Sequence, residues 1–501
     1  MSPTADGAAL EFQLRLASAD LALFAAASGD RNPLHLDAGF ARRTPFGRCI
    51  AHGSLVTLAL LGSLPADVLA EVRSLRASFT GPVMPDAETV GLAEPLPHGG
   101  GWEIRLSGRG KLLARVIASS DAEPMRASAV PRGEPEAART DPDDAKAAVG
   151  LERTVAYAPG PELAEVARRW HADSLDPSLL DGLAWASYVV GMEVPGRHGL
   201  FAGFSMSTSA DSSSAPSHWL RVRESDDRTG HLMIESALNA GGRHVDATIE
   251  CFSLLPVPAP VPAPLEPLEE QVDGAVLVVG GSRGFGASLS LALLARGYSV
   301  HVAYSSSSDA ASELRRLAGA QADKLFLHHL DARDPAAVGA LLDAVSTDGL
   351  RGLVLNAALV PLGMGLADRS GVELSEYVGE SVRLAAVPLG VLLSTLDPEA
   401  GWVVFCSSSA VSAPPRDWPH YVAAKGALEG LAAWLGATEP GIRTVVFRSP
   451  KMLTDLTNSP SGRIAAVSTD LVAAWLVARL ADGGLPPGLT TLEPTAEEVT
   501  Q

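Results

Sequence analysis

The chain has 501 residues, 47% of them hydrophobic and 19% charged, and a formal net charge of −19. That composition is globular rather than disordered, and the length asks for roughly two to four domains instead of one core. The negative balance argues against nucleic acid and against an anionic membrane surface, so an acidic partner would have to dock on a local basic patch.

Three cysteines, Cys49, Cys251 and Cys406, match no disulfide or metal-ligand spacing, which suits a reducing cytoplasm and leaves no metal site expected. No basic segment leads into an apolar one at the N-terminus, so no signal peptide is expected. The apolar runs read as too short or too interrupted to span a bilayer.

In chain order, a first helix is predicted near residues 19–28, then a loop, a second helix near 53–64, and strands such as Val72–Thr80 and Trp102–Leu106. Residues 121–148, rich in Pro, Ala and charge without apolar periodicity, read as a linker. Residues 151–254 read as a weaker repeat of 10–120, because Asn32-Pro33-Leu34-His35-Leu36-Asp37 is echoed by Asp176-Pro177-Ser178-Leu179-Leu180-Asp181 and a glycine-containing turn follows each. In that alignment Ser174 stands for Asp30 and Leu179 for His35, so the second copy lacks the chemistry of the first; chance likeness of short turns is the alternative. Residues 255–267 carry proline at every second or third position, which favours an extended spacer and divides the chain into 1–254 and 268–501. Beyond it, strands at Ala275–Val279, Ser299–Tyr304, Lys324–His328, Gly352–Leu355, Trp402–Ser407 and Ile442–Phe447 alternate with helical patterns, the signature of a doubly wound parallel sheet.

The first motif is Ser28-Gly29-Asp30-Arg31-Asn32-Pro33-Leu34-His35-Leu36-Asp37, followed by Phe46-Gly47-Arg48-Cys49-Ile50-Ala51-His52-Gly53. A lone aspartate or histidine here would more often form a turn or pack in a core; the whole spacing is what points to chemistry. It resembles the MaoC-type (R)-specific enoyl thioester hydratases, over about residues 10–120. The resemblance implies a hot-dog fold with Asp30 and His35 as the catalytic pair. Dehydrating a 3-hydroxyacyl thioester takes a proton from C2 and gives one to the departing hydroxyl, work that suits a carboxylate and an imidazole of tuned pKa. The enolate oxygen needs a donor, and Gly53, opening the second predicted helix, offers its amide. His52 is expected to shape the turn. Arg42, Arg43 and Arg48 are candidates for coenzyme A phosphates or an acidic carrier protein, or else form a solvated loop.

The second motif, Val276-Leu277-Val278-Val279-Gly280-Gly281-Ser282-Arg283-Gly284-Phe285-Gly286, follows the strand-to-helix turn of a dinucleotide fold, whose glycines let the backbone approach a pyrophosphate. It resembles the short-chain dehydrogenase/reductases over about residues 272–495, which also place a serine thirteen residues before Tyr421 in Tyr421-Val422-Ala423-Ala424-Lys425, selecting Ser408. The resemblance implies that Tyr421 passes a proton to a carbonyl oxygen, that Lys425 stabilises the tyrosinate and that Ser408 hydrogen-bonds the oxygen. It also implies cofactor contacts from Gly280, Ser282, Arg283, Gly284, Phe285 and Gly286, from Tyr304 and Ser305, from Asp331 and Ala332, and from Asn356, Ala357, Tyr421 and Lys425. After Tyr304 no acidic residue comes before Asp309, and Arg283 could meet a 2′-phosphate, so NADP(H) is the expected cofactor. Four positions depart from the family's pattern: Val279 for threonine, Ala358 for glycine, Arg383 for the catalytic asparagine and Lys451 for glycine.

Together these readings give an α+β double hot-dog, its second half degenerate, followed by an α/β doubly wound Rossmann domain. The expected segments are 1–120, a linker 121–148, a non-catalytic second hot-dog 149–254, a linker 255–267 and a reductase domain 268–501. The expected activity is NADPH-dependent reduction of a 3-oxoacyl thioester to the (R)-3-hydroxyacyl thioester and its reversible dehydration to the trans-2-enoyl thioester, on coenzyme A or an acyl carrier protein. The alternatives are a hydratase with a non-catalytic nucleotide-binding or docking module, a thioesterase in the front half, and an independent acyl-binding domain in 151–254. A cytoplasmic homo-oligomer is expected, with no nucleic-acid or membrane partner.

Overall fold

A computed structural model describes residues 9–122, 134–143, 148–211, 217–240, 242–254, 256–261, 274–346, 349–366, 370–481 and 485–500. The chain separates into a first unit, essentially Met1–Pro256, and a second made of Val257–Asn458 and Gly462–Gln501.

In the first unit, strands β1 (Leu10–Leu14), β2 (Ser74–Phe79), β3 (Thr89–Pro95), β4 (Gly101–Gly108) and β5 (Lys111–Ser119) lie in the order β1-β3-β4-β5-β2. Strands β7 (Glu152–Ala156), β8 (Gly199–Asp211), β9 (Ser217–Asp226), β10 (His231–Ala240) and β11 (Arg243–Ser253) repeat that order as β7-β9-β10-β11-β8. The two halves join edge to edge through antiparallel pairing of β2 with β8, from Ser74 opposite Ser207 to Ser78 opposite Gly203. Period-two burial marks the inner face: Ala114, Val116 and Ala118 of β5 are buried between more exposed neighbours.

Each half carries a central apolar helix, α2 (Gly53–Leu61) and α3 (Pro177–Tyr188). Every residue of α2 from Ser54 to Leu61 is buried, as an all-round apolar sequence demands. α1 (Ser18–Ser28) precedes α2, and a short helix, Leu163–Arg169, precedes α3. This is the expected double hot-dog.

The topology aligns the halves differently from the motif echo. Asn32 and Asp176 do both cap helices whose first residue is proline, accepting from the amides of Leu34 and Ser178. But Asp176 caps the central helix, whose counterpart in the first half is α2, whereas Asn32 caps a single turn, Pro33–Leu36. The echo is shared capping chemistry, and the pairing of Leu179 with His35 and of Ser174 with Asp30 does not hold. The segment carrying Asn32 through His52 has no equivalent before α3.

Within 121–148, residues 123–133 and 144–147 lie outside the described residues, as do 255 and 262–267 of the proline-rich stretch. The described part is built into the unit: β6 (Glu136–Ala137) pairs in parallel with β7, and Arg139 bonds the buried Glu193 together with Arg153 and the Tyr188 hydroxyl.

The second unit holds one parallel sheet, β14-β13-β12-β15-β16-β17-β18, made of β12 (Ala275–Val279), β13 (Ser299–Tyr304), β14 (Leu325–His329), β15 (Leu350–Leu355), β16 (Trp402–Ser408), β17 (Arg443–Ser449) and β18 (Gly488–Leu492). Six of these match the expected strands within a few residues; β18 has Thr490 and Thr491 at its centre and gave no apolar run to read. Helices α4 (Gly284–Ala295), α5 (Ser308–Ala318), α6 (Ser370–Leu392), α7 (Pro419–Thr438) and α8 (Thr469–Ala481) complete the doubly wound layers. The order reverses between β12 and β15, the switch point where such sheets bind ligands at their carboxyl ends. One expectation needs correcting: Ser370–Thr395 is long and apolar enough to cross a membrane by length and composition. It carries Pro388 internally and packs against α7.

Candidate functional sites

The first site grows from the end of α1. Gly29 closes that helix in the left-handed conformation at φ 70°, turning the chain so that Asp30 points inward. Ser28 fixes the turn, donating to the Phe24 carbonyl at 2.8 Å and accepting from the Asp30 amide at 3.2 Å. Asp30 Oδ1 accepts from the Asn32 amide at 3.1 Å, and Asn32 donates to the Gly196 carbonyl at 3.0 Å. Asp30 is only 2% exposed.

His35 sits one turn on, in Pro33–Leu36. Its Nδ1 lies 2.7 Å from the Ile50 carbonyl oxygen, which can only accept, so Nδ1 carries the proton and a neutral ring has Nε2 as its acceptor. Asp30, His35 and Gly53 line one pocket with Leu34, Phe79 and Phe201. Gly53 is the first residue of α2, where backbone amides have no carbonyl partner within the helix. Burial pushes the Asp30 carboxyl above its ordinary range, against the pull of His35, Ser187 and the Asn32 amide. Burial lowers His35, against the pull of Asp30 and the Ile50 carbonyl. Both shifts move the pair toward neutrality, where proton exchange between them and a substrate is easiest.

Sequence reasoning missed two contributors, both from the second half. Ser187 of α3 donates to Asp30 Oδ2 at 2.7 Å. Gly191, in a π-helical turn (Val189–Glu193) that follows α3, lies so close that an added Cβ would stand 1.9 Å from Asp30 Oδ1. Neither has a local signature, since each is tied to the site only through the fold. His52 stacks on His35 and, with Asp30, brings three possible ligand atoms within 4.8 Å of one another, a spacing that would also admit a metal ion. Arg43 and Arg48 are exposed.

The second site lies at the carboxyl ends of the parallel strands. The loop from Gly280 to Gly286 joins β12 to α4, and Asn356 tightens it by donating to the Gly280 carbonyl at 2.9 Å. An added Cβ at Gly286 would stand 2.2 Å from the Gly280 oxygen, so the loop can hold this tight form only with glycine. Ser282 and Phe285 are buried, and Phe285 stacks on Phe447. Tyr304 and Ser305 stand at the end of β13; the Tyr304 ring lies 5.4 Å from that of His329, and the Ser305 carbonyl is 2.7 Å from His329 Nε2. Asp331 and the buried Ala332 follow β14. Ala357 follows β15, its backbone close against Gly280.

Ser408 ends β16, and Tyr421 and Lys425 share one face of α7. The buried Lys425 donates to the Cys406 carbonyl at 2.6 Å, and its Nζ lies 5.5 Å from the centre of the Tyr421 ring. Trp418 packs edge-on to Tyr421. Tyr377 of α6 donates to the Leu359 carbonyl at 3.0 Å and is pushed up by burial and by the proximity of Tyr421.

Two arginines read from sequence are engaged. Arg283 pairs with Asp455 at 3.3 Å. Arg383 lies 3.3 Å from Glu380, beside an ion-pair network in which Arg333 holds Asp331 and Glu380 at 2.7 Å each. The Arg333 bond holds the Asp331 carboxyl below the usual range.

Residues 3–95 match the family model described as MaoC like domain, and residues 274–463 match the model described as short chain dehydrogenase. The chain is 32% identical over 184 residues to the short-chain dehydrogenase/reductase FrzI of Cladobotryum sp, covering 36% of this chain and 69% of that protein. It is 51% identical over 49 residues to the 3-hydroxybutyryl-CoA dehydratase of Methylorubrum extorquens, covering 10% of this chain and 31% of that enzyme. With the (R)-specific enoyl-CoA hydratase of Aeromonas caviae it shares 50% identity over 50 residues, covering 10% of this chain and 37% of that enzyme. The chain thus spans well under half the length of these two enzymes.

Proposed function

We propose that this chain, which belongs to the short-chain dehydrogenase/reductases through its second unit and carries a MaoC-like hot-dog domain at the start of its first, works on one acyl thioester at two sites. The second unit reduces a 3-oxoacyl thioester to the (R)-3-hydroxyacyl thioester, and the first interconverts that product with the trans-2-enoyl thioester. The observation that carries this reading is the meeting of Asp30, His35 and the Gly53 amide in one largely apolar pocket. The (R)-specific hydratase and the 3-hydroxybutyryl-CoA dehydratase, both similar to this segment, act on coenzyme A thioesters by name, and that substrate class is proposed here.

In the hydratase, His35 and Asp30 share the proton movements: one takes the C2 proton while the other gives a proton to the departing hydroxyl, and hydration runs the steps backwards. The Gly53 amide faces the thioester oxygen as it gains charge, a contact worth about 3–4 kcal/mol in comparable oxyanion sites. The π-turn around Gly191 and the hydroxyl of Ser187 hold the carboxylate in place. In this reading residues 149–254 are a non-catalytic copy that completes the site.

In the reductase, NADP(H) is the proposed coenzyme. The tight loop from Gly280 to Gly286 at the N-terminus of α4 fits a pyrophosphate, and the stretch after Tyr304 offers no carboxylate before Asp309 for a free ribose 2′-hydroxyl. When bound, the coenzyme supplies hydride to the carbonyl carbon. Tyr421 gives the proton to the carbonyl oxygen, Ser408 donates a hydrogen bond to that oxygen, and Lys425, fixed by the Cys406 carbonyl, holds positive charge beside the tyrosine.

A second reading is favoured by Arg383, which stands where a catalytic asparagine is expected and is engaged by Glu380. It makes the second unit a nucleotide-binding module without turnover. Incubating the protein with a short 3-oxoacyl-CoA and NADPH, while following cofactor absorbance and product mass, separates the two. NADPH consumption ending in an enoyl product, and stopping at the hydroxyacyl stage in Asp30→Asn, is expected. No NADPH consumption, with hydration of added enoyl-CoA intact, would favour the second reading.

A further inference from the structure

One residue of the first site is left without a role by the hydratase reading. His52, immediately before α2, is fully buried, and neither of its ring nitrogens makes a hydrogen bond among the described residues. Its ring stacks on His35 with centroids 3.7 Å apart and planes 28° from parallel. Phe24 packs against it at 5.1 Å. Its Nε2 stands 4.0 Å from Asp30 Oδ2, beyond hydrogen-bond length.

Stacked on His35, this ring offers its neighbour a face. We propose that His52 is a positioning residue of the hydratase: an uncharged aromatic platform that fixes the plane of His35 and stabilises the positive charge His35 gains when it takes a proton. The inference rests on the hydratase reading and extends it.

Three relationships support it. The Ile50 carbonyl fixes one edge of His35 but leaves the ring free to swing about that bond, and a stacked ring removes that freedom. A cation within about 6 Å of an aromatic face is attracted by the ring's quadrupole, more so away from water. A charged His52 would instead repel a charged His35, and burial keeps His52 well below its ordinary pKa. Among the described residues, Asp30 is the further titratable group that acts on both rings, while Tyr157, whose hydroxyl donates to the Ser28 carbonyl, and Tyr188, packed against Gly29, border the turn that carries Asp30.

The test compares His52→Leu, which removes the aromatic face, with His52→Phe, which keeps it and removes the nitrogens. Two quantities are measured: kcat and KM for hydration of a short trans-2-enoyl-CoA, and the titration of His35 by NMR of imidazole-labelled protein. His52→Leu is expected to lose about three- to thirty-fold in kcat with little change in KM, and to titrate His35 about half a pH unit lower. His52→Phe should restore both. Should the leucine variant not fold, His52→Gln, planar but not aromatic, takes its place with the same expectation. Wild-type kcat and titration in the non-aromatic variant would overturn the inference. So would equal damage in His52→Phe, since the nitrogens and not the face would then matter. If the wild-type protein hydrates no enoyl thioester, the hydratase reading falls, while the titration of His35 still decides whether the stack acts on it.

Discussion

Ser187 donates its hydroxyl to Asp30 Oδ2 at 2.7 Å across 157 residues of sequence, so the second half of the first unit holds a buried carboxylate of the first half. A hydrogen bond to a charged group contributes about 1.5–3 kcal/mol, so Ser187→Ala should lower hydration kcat about ten- to a hundred-fold. The bond pulls the Asp30 carboxyl down, against the dominant push of burial. Its loss should move the acid limb of the hydration rate profile to higher pH. An unchanged limb with wild-type kcat would show that Ser187 does not orient the carboxylate.

Gly191 offers an independent check on the same contact. Gly191→Ala would set a methyl 1.9 Å from Asp30 Oδ1, so the carboxylate must move or the π-turn must shift. Hydration should fall by at least the factor seen for Ser187→Ala, while NADPH oxidation with a 3-oxoacyl-CoA stays near wild type. Parallel loss of both activities would point to general misfolding.

The two chemistries should separate by mutation. Asp30→Asn is expected to cost about 10²–10⁴-fold in hydration and leave reduction intact. Tyr421→Phe and Lys425→Met should abolish NADPH oxidation and leave hydration intact. Steady-state rates for both half-reactions on each variant check this, and hydration lost in Tyr421→Phe would contradict it.

Acid should destabilise the fold through its buried imidazoles. His35 and His52 are both lowered from 6.5 by burial, so below about pH 6.5 the unfolded chain takes up protons that the folded chain refuses. The stability they contribute is present above that pH and is lost as pH falls toward their folded values. Asp30 has the opposite sign: its carboxyl is raised from 3.8, so what it contributes is lost as pH climbs through its folded value. Melting curves between about pH 7.5 and 5.5 should show His52→Phe losing less stability than the wild type. Parallel loss in the two proteins would mean His52 is not held neutral.

Chelation should leave hydration unchanged, since the proposed chemistry needs only Asp30, His35 and the Gly53 amide. Loss of activity on dialysis against EDTA, restored by a divalent ion, would instead make Asp30, His35 and His52 ligands, which their spacing within 4.8 Å permits.

Both site motifs were legible because each is local. Asp30 and His35 are brought together by one left-handed glycine and one asparagine cap, and Tyr421 and Lys425 by one helical turn. The parallel sheet was legible because buried strands such as Ala275–Val279 are apolar at every position. What stayed hidden was long-range: Ser187 and Gly191 reach Asp30 only once β2 pairs with β8 and α3 packs beside α2. The internal repeat was visible as a likeness but aligned on the wrong helix, because Asn32-Pro33 and Asp176-Pro177 share a capping requirement rather than a place in the topology. Arg283 was read as free to meet a 2′-phosphate, and its carboxylate partner Asp455, 172 residues on, could not be foreseen from spacing.

The β2–β8 seam joins two halves that belong to one polypeptide. Because Asp30 and its partner Ser187 are tethered by covalent chain, their meeting is governed by an effective concentration that dilution cannot change. Hydratase turnover per chain should therefore hold constant down to the lowest assayable enzyme concentration, where a site assembled from separate copies would fade with the mass-action loss of its partner.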